Sequence, residues 1–448
     1  MLDVRGKSVV VVGLGKSGVA AARACARLGA RVTANDAKPR AALGETVSAL
    51  ESEGITVVCG GHANAGIERA DLVVVSPGVP SFPELEVAQR ANVPIWGEVE
   101  LATRALAHSA PIVAIGGTNG KSTVTSLVGE LLAADGRRVF VGGNLGDPLA
   151  DRIDEAFDAI VLEVSSFQME RVDAFHPTVS VLLNVTPDHL DRYVDIEAYA
   201  HAKGNSFVRQ TSGDTAVVPV GDAVCLAQAK RGSAKAATFG PGGDIDVTGD
   251  AIIDHATGER YERSAIGLAG GHNALNVAAA IAAVRPFGVR PSDIRRVLAE
   301  VRGLPHRTAF VAEIDGVRYY DDSKGTNVGA TVSALEGLGE SKAVLIAGGR
   351  DKGGAYDPLV GALREKGRAA VLVGEAADRI ASAIDNAVPT VRAKTIDDAV
   401  RESARLAVRG DAVLLSPACS SFDMFRDYKH RGDEFVRAVR ELAKERAR

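Results

Sequence analysis

Short apolar runs, each followed by a polar, glycine-bearing turn and then an amphipathic or alanine-rich stretch, recur along the whole chain. Runs at residues 7–12, 31–34, 56–59 and 72–75 read as buried strands, with an Ala-rich helix reaching Leu28 after the first. The pattern resumes with a strand at 112–115 and a helix through Leu131, then strands at 138–141, 158–164 and 178–185 and a helix over 196–208. From about 232 to 271 glycines and charges break the pattern, and short alternating pieces such as 251–254 predict a small antiparallel appendage. The run 268–276 opens a second Ala-rich helix. Strands follow at 317–320, 343–347, 369–373 and 412–415, and a charged helix ends the pattern. Strands alternating with helices predict an α/β protein. Three domains are expected: a Rossmann-like unit at 1–108, a central P-loop ATPase-type α/β unit with the appendage at 109–304, and a Rossmann-like unit at 305–448. Linkers are placed at 108–111 and 303–307.

Composition narrows the class of partner. The 448 residues are 46% hydrophobic and 24% charged, and the net charge of −5 gives no reason to expect nucleic acid or an anionic membrane. Four cysteines (Cys25, Cys59, Cys225, Cys419) lie far apart without a C-x-x-C, so neither a disulfide framework nor a zinc site is predicted. No leader-like apolar segment opens the chain, and no apolar run reaches the roughly 18 residues of a membrane span. A cytoplasmic protein acting on small molecules as a monomer is expected.

Two glycine loops carry candidate chemistry. Gly116-Gly117-Thr118-Asn119-Gly120-Lys121-Ser122-Thr123 lies between a strand and a helix. Backbone N–H groups of such a loop, with the helix N-terminus behind them, cradle phosphate. Lys121 would pair with terminal phosphates, and a hydroxyl of Ser122 or Thr123 can join a Mg²⁺ shell. The spacing departs from the Walker pattern, which would need glycine where Ile115 stands. Earlier, Gly13-Leu14-Gly15-Lys16-Ser17-Gly18, with Asp36 ending the next strand, is the dinucleotide fingerprint. Read alone it predicts NAD with Asp36 on the ribose, although its diphosphate physics serves any nucleoside diphosphate. Glu163 near a strand end is placed for a Mg²⁺ or water contact. His189 follows another strand end, on the ligand side of such a sheet. Lys203 reads as a surface lysine sharing a helix face with Tyr199. Asn273 and Asn276 share the first turn of their helix, where capping explains one and a ligand contact is expected of the pair.

The ordered motifs GGTNGKST, EVSSFQ, NVTPDHLDRY, HNALN, PHR, DDSKGTN, GGRDKGG and SPACSSFD make the chain similar to the ATP-dependent Mur ligases over nearly its whole length. GLGKSG, Ser76-Pro77-Gly78, DDSKGTN and SPACSSFD resemble the members that add D-glutamate. The resemblance implies transfer of the ATP γ-phosphate to the carboxylate of UDP-N-acetylmuramoyl-L-alanine. The D-glutamate amine then attacks the acyl phosphate, in cell-wall peptidoglycan precursor synthesis. It implies ATP-binding by Gly117, Thr118, Asn119, Gly120, Lys121, Ser122, Thr123, Asn273, Asn276, Arg307 and Asp322. It implies two Mg²⁺ sites, with Ser122 and Glu163 at one, and His189 and a carbamylated Lys203 at the other. Ser17, Asp36, Lys38, Ser76 and Gly78 would face UDP, and Asn144, Ser165 and Tyr199 the muramoyl-alanine part. Lys324, Thr326, Lys352, Ser421, Phe422 and Tyr428 would serve D-glutamate. In GGRDKGG the matching acid is ambiguous between positions 350 and 351, whereas Lys352 fits.

Three rival readings remain at this level. A sister ligase would add another amino acid, or L-alanine to the bare muramic acid. An NAD-dependent oxidoreductase would rest on residues 1–36 alone and leave the P-loop unexplained. A non-catalytic nucleotide-binding module would leave Lys121, Glu163, His189 and Lys203 without purpose.

Overall fold

The structure, a computed structural model, describes residues 2–446 except 269 and 354. Two motif positions, Ala269 before the HNALN run and Gly354 closing GGRDKGG, therefore lie outside the described residues. The first sheet has five parallel strands in the order Thr56–Cys59, Arg31–Asp36, Ser8–Val12, Leu72–Val75, Ile95–Trp96. Val9 to Val12 are at most 1% exposed, which explains their unbroken apolar run: both faces of the sheet are covered. The order reverses between Ser8–Val12 and Leu72–Val75, so the Gly13 loop and Ser76-Pro77-Gly78 emerge side by side at the switch point.

The second sheet has nine strands, with Ile112–Gly116 between Val179–Leu182 and Ala159–Glu163. The strand expected over 178–185 stops at Leu182, because the chain beyond leaves the ladder to bond the glycine loop: Thr118 N–H donates to Asn184 O at 3.0 Å. The helix expected over 196–208 is Ile196–Gly204. Residues 205–208 tighten into i→i−3 turns, such as Phe207 N–H to Gly204 O at 3.1 Å. The expected appendage is the edge of this same sheet. Lys235–Phe239 pairs parallel with Thr215–Pro219, a strand the apolar pattern did not single out, and Ile245–Val247 pairs parallel with Lys235–Phe239. Antiparallel pairing begins between Ile245–Val247 and Ala251–Asp254.

The third sheet runs Ala309–Ile314, Val317–Asp321, Ala412–Leu415, Ala343–Gly348, Gly367–Val373, Thr390–Arg392. Its first pair is an antiparallel hairpin turning on Asp315 (φ 55°) and Gly316 (φ 78°), a left-handed pair suited to a two-residue loop. The three strands preceding the polar loops DDSKGTN, GGRDKGG and SPACSSFD are neighbours, so those loops share one sheet edge.

The chain forms two compact units. One comprises Met1–Val185, Tyr199–Tyr261 and Asn276–Val297, the other Thr186–Ala198, Glu262–Leu275 and Leu298–Arg448. Within the first unit, a single apolar cluster joins the two sheets: Ala20 and Ala24, Val99 and Ala102, Leu149, Leu162 and Phe175. Two buried carboxylates on helix Glu98–Ala105 seal that seam. Glu98 accepts the Ala150 N–H at 2.8 Å, and Glu100 accepts the N–H groups of Asp173, Ala174 and Phe175 at 2.9–3.0 Å. Burial pushes the Glu98 carboxyl up to about 7, against the Ala150 N–H that favours its charge. Among the described residues, no helix is long and apolar enough to cross a membrane.

Candidate functional site

In the first unit the glycine loop at residues 13–18 closes on itself. A Cβ on Gly18 would sit 1.7 Å from Gly13 O, Gly13 itself has φ 88°, and Ser76 Oγ donates to Gly13 O at 2.7 Å. The Asp36 carboxylate holds the loop from the next strand. It accepts Leu14 N–H at 2.8 Å and Lys38 N–H at 2.9 Å, so its first task is to the backbone rather than to a ribose. Loop and neighbours line a cavity of about 570 Å³ that includes all five residues expected to face UDP: Ser17, Asp36, Lys38, Ser76 and Gly78.

The loop at 116–121 is built differently. Gly117 (φ 142°) and Gly120 (φ 87°) adopt conformations that other residues avoid, and a Cβ on Gly120 would meet Asn276 Oδ1 at 2.4 Å. Asn184 pins the turn: its Oδ1 accepts Asn119 N–H at 2.9 Å and Thr118 N–H at 3.2 Å, and its Nδ2 donates to Asn119 O at 3.1 Å. Sequence reasoning passed over Asn184. The available signal was a buried-strand run ending in an amide just before Thr186-Pro187.

Two lysines converge on one carbonyl. Lys121 Nζ donates to Gly117 O and Thr118 O, both at 2.8 Å, and Lys203 Nζ donates to Gly117 O at 2.8 Å. Lys203 is 5% exposed, which overturns its reading as a surface lysine. Its i, i+4 partner Tyr199 is buried too, with the Lys203 ammonium 4.4 Å from the ring centroid. Tyr199 OH lies 3.4 Å from Thr118 Oγ1. Glu163, buried at the end of Ala159–Glu163, accepts Asn144 Nδ2–H at 2.5 Å. The buried Ser122 opens the helix Lys121–Ala134. Ser165 is spent as a cap: with Gln168 it forms a capping box on Ser166–Met169. Among the described residues, no group of three or more His, Cys, Asp or Glu could hold a metal ion.

In the second unit, Asp188 is the hub of an ion pair. Lys352 Nζ lies 3.2 Å from Oδ1, Asn327 Nδ2 donates to Oδ2 at 3.1 Å, and His189 N–H (φ 57°) donates to Oδ1 at 2.9 Å. Burial opposes the charge of Asp188, but Lys352 and His189 outweigh it and hold the carboxyl below its ordinary range. Asp322 is the opposite case. It accepts Ser416 Oγ–H at 2.7 Å and Thr308 N–H at 3.1 Å, yet burial pushes it up to about 7, against the Ser416 bond and the nearby Arg307. Lys324 Nζ stands 4.1 Å from the Tyr428 ring centroid, Ser421 is buried and Phe422 is 66% exposed. Asp351 pairs with Arg379 and accepts Tyr356 OH at 3.0 Å, while Arg350 is exposed.

Beneath these loops lies Arg431, which the charged pattern of its helix disguised as a solvated residue. It is 1% exposed and donates from Nε to Ser323 Oγ (3.0 Å), from Nη2 to Ser323 O (2.8 Å) and from Nη1 to Cys419 O (3.2 Å). Ser420 N–H donates to Arg350 O and Arg350 N–H to Ser420 O, at 3.1 and 2.9 Å. One guanidinium thereby ties DDSKGTN to SPACSSFD, which is zipped to GGRDKGG. Burial drives the Arg431 pKa down to about 10, against the nearby Cys419 and aspartates.

Known proteins match along nearly the whole chain. Residues 7–97 match a model of the Mur ligase MurD-like N-terminal domain, 115–284 the Mur ligase middle domain, and 306–419 the Mur ligase, glutamate ligase domain. A UDP-N-acetylmuramoylalanine--D-glutamate ligase from Syntrophotalea carbinolica is 44% identical over 99% of both chains. One from Anaeromyxobacter dehalogenans is 45% identical over the same shares. In fold, the chain is similar to a UDP-N-acetylmuramate-alanine ligase from Thermotoga maritima (TM-score 0.61, 19% identity, 97% of this chain and 100% of that one). It is also similar to a pseudomurein peptide ligase from Methanothermus fervidus (TM-score 0.63, 16% identity, 98% and 100%). The chain belongs to the Mur ligase family.

Proposed function

We propose that this chain is an ATP-dependent ligase that joins D-glutamate to UDP-N-acetylmuramoyl-L-alanine in peptidoglycan precursor synthesis. The observation that carries this reading is the full-length identity of 44% to a protein of that name, extending through all three sheets and their loops. The UDP end belongs to residues 1–108, ATP to 109–304 and the incoming amino acid to 305–448.

A carboxylate is a poor electrophile, so the γ-phosphate of ATP is first transferred to it. The amine of D-glutamate attacks the acyl phosphate, a tetrahedral intermediate forms and phosphate leaves. Positioning and charge neutralisation are what the chain supplies. Lys121, held against its own loop carbonyls, is poised to turn onto terminal phosphates. The Ser122 hydroxyl and Glu163 carboxylate are hard oxygen donors suited to Mg²⁺, which supplies positive charge at those phosphates when bound. Carbamylation needs a neutral amine, and the Lys203 side chain is buried. His189 and the carbamylated Lys203 complete the proposed metal ligands. Asn273, Asn276, Arg307 and Asp322 are assigned to ATP. Asn144, Ser165 and Tyr199 serve muramoyl-alanine. Lys324, Thr326, Lys352, Ser421, Phe422 and Tyr428 serve D-glutamate.

The test is phosphate release from ATP with Mg²⁺, UDP-N-acetylmuramoyl-L-alanine and one amino acid at a time. Release with a peptide-bonded product is expected with D-glutamate only. Turnover with another amino acid would keep the family and overturn the substrate.

A further inference from the structure

One wall of the cavity above the Gly13 loop contains a histidine that no motif singled out. His62 follows the strand Thr56–Cys59, lines the cavity and stacks on Phe82, with ring centroids 4.0 Å apart and planes 19° from parallel. Its Nδ1 lies 2.6 Å from Oδ1 of Asn35, a side chain with no exposure at all. The Asn35 amide is fixed by its other bonds: Nδ2 donates to Val58 O at 3.0 Å and to Gly61 O at 2.8 Å. With both amide hydrogens committed to carbonyls, Oδ1 can only accept, so Nδ1 of His62 is the donor. The neutral imidazole therefore keeps its lone pair on Nε2, the nitrogen away from Asn35. A buried amide, two backbone carbonyls and an aromatic stack thus set both the tautomer and the plane of one ring in the cavity wall.

We infer that His62 reads the nucleobase of the UDP-linked substrate, its Nε2 accepting the imide N3–H of uracil. Cytosine presents an acceptor at N3, which would face a second lone pair, so the same nitrogen selects against it. The inference rests on the reading of this cavity as the nucleoside-diphosphate site, and it assigns the specificity of that site to one atom.

Binding of UDP and of CDP, measured by calorimetry at pH 8.5 where an ordinary imidazole is neutral, tests it without any ligase turnover. The intact protein should prefer UDP. His62→Phe, which keeps a ring to stack on Phe82 and removes the acceptor, should lower the UDP/CDP ratio about tenfold. His62→Gln restores an acceptor without the stack and should recover part of the ratio. UDP binding by His62→Phe with the ratio of the intact protein overturns the role of His62 and leaves the cavity assignment standing. Intact protein that binds neither nucleotide overturns the cavity assignment, and this role with it. If the Phe variant fails to fold, an unchanged ratio in His62→Ala overturns the role instead.

Discussion

The two glycine loops of the first unit use the same strand–loop–helix grammar and differ in what holds them. At residues 13–18 a carboxylate does the work: Asp36 takes a loop N–H, and the cavity is walled by rings and prolines. At 116–121 an amide takes the N–H groups, and two ammonium groups crowd one carbonyl. On the function proposed above, the first loop would bind a diphosphate it need only hold, and the second a triphosphate it must help to cleave. Glycine spacing announces that phosphate will come; the charges around it decide what happens to the phosphate. The dinucleotide fingerprint misleads for that reason.

The largest way to break the contrast is to remove charge from the second loop. Lys121→Ala should cut turnover roughly a thousandfold while leaving UDP binding unchanged by calorimetry; an equal loss of both would erase the division of labour. Next, Gly18→Ala forces a Cβ against the Gly13 carbonyl and should cost about 3 kcal/mol in urea unfolding. Gly15→Ala, which meets nothing within 4 Å, should stay within about 0.5 kcal/mol. A smaller effect tests whether both loops ride on one cooperative body. The folded state holds the Glu98 proton up to about pH 7, whereas the unfolded chain releases it in the ordinary carboxylate range. The stability it gives is present at low pH and lost as pH rises through 7. Relative to Glu98→Gln, the intact protein should weaken between pH 5 and 8 by on the order of 2 kcal/mol, in a single unfolding transition. Smallest, Asn184→Ala should raise the KM for ATP about tenfold, with little change in the KM for the UDP-linked substrate.

Much of this was legible in the sequence because strands buried on both faces are unbroken apolar runs, and turns that approach phosphate need glycine. The strands read at 7–12, 31–34, 72–75 and 112–115 fall within a residue or two of those observed. Residues whose role depends on what lies behind them could not. Lys203 and Arg431 look solvated in one dimension, since their burial comes from tertiary packing. Asn35 is one polar letter at the end of a strand, and its two carbonyl partners lie 23 and 26 residues away. The antiparallel piece at 251–254 was legible, but its place on the edge of the central sheet was not, because edge strands of three to five residues carry too little periodicity to declare their partner.

Arg431 bears on how the molecule comes into being. All three polar loops of the third sheet precede it in the chain, and each is fastened to it directly or at one remove. On the ribosome, DDSKGTN and GGRDKGG are made well before the helix Tyr428–Arg446 that arranges them, and SPACSSFD just ahead of it. A nascent chain can carry every loop residue and still lack an ordered pocket for the amino acid. Competence at that end arrives with the helix that carries Arg431.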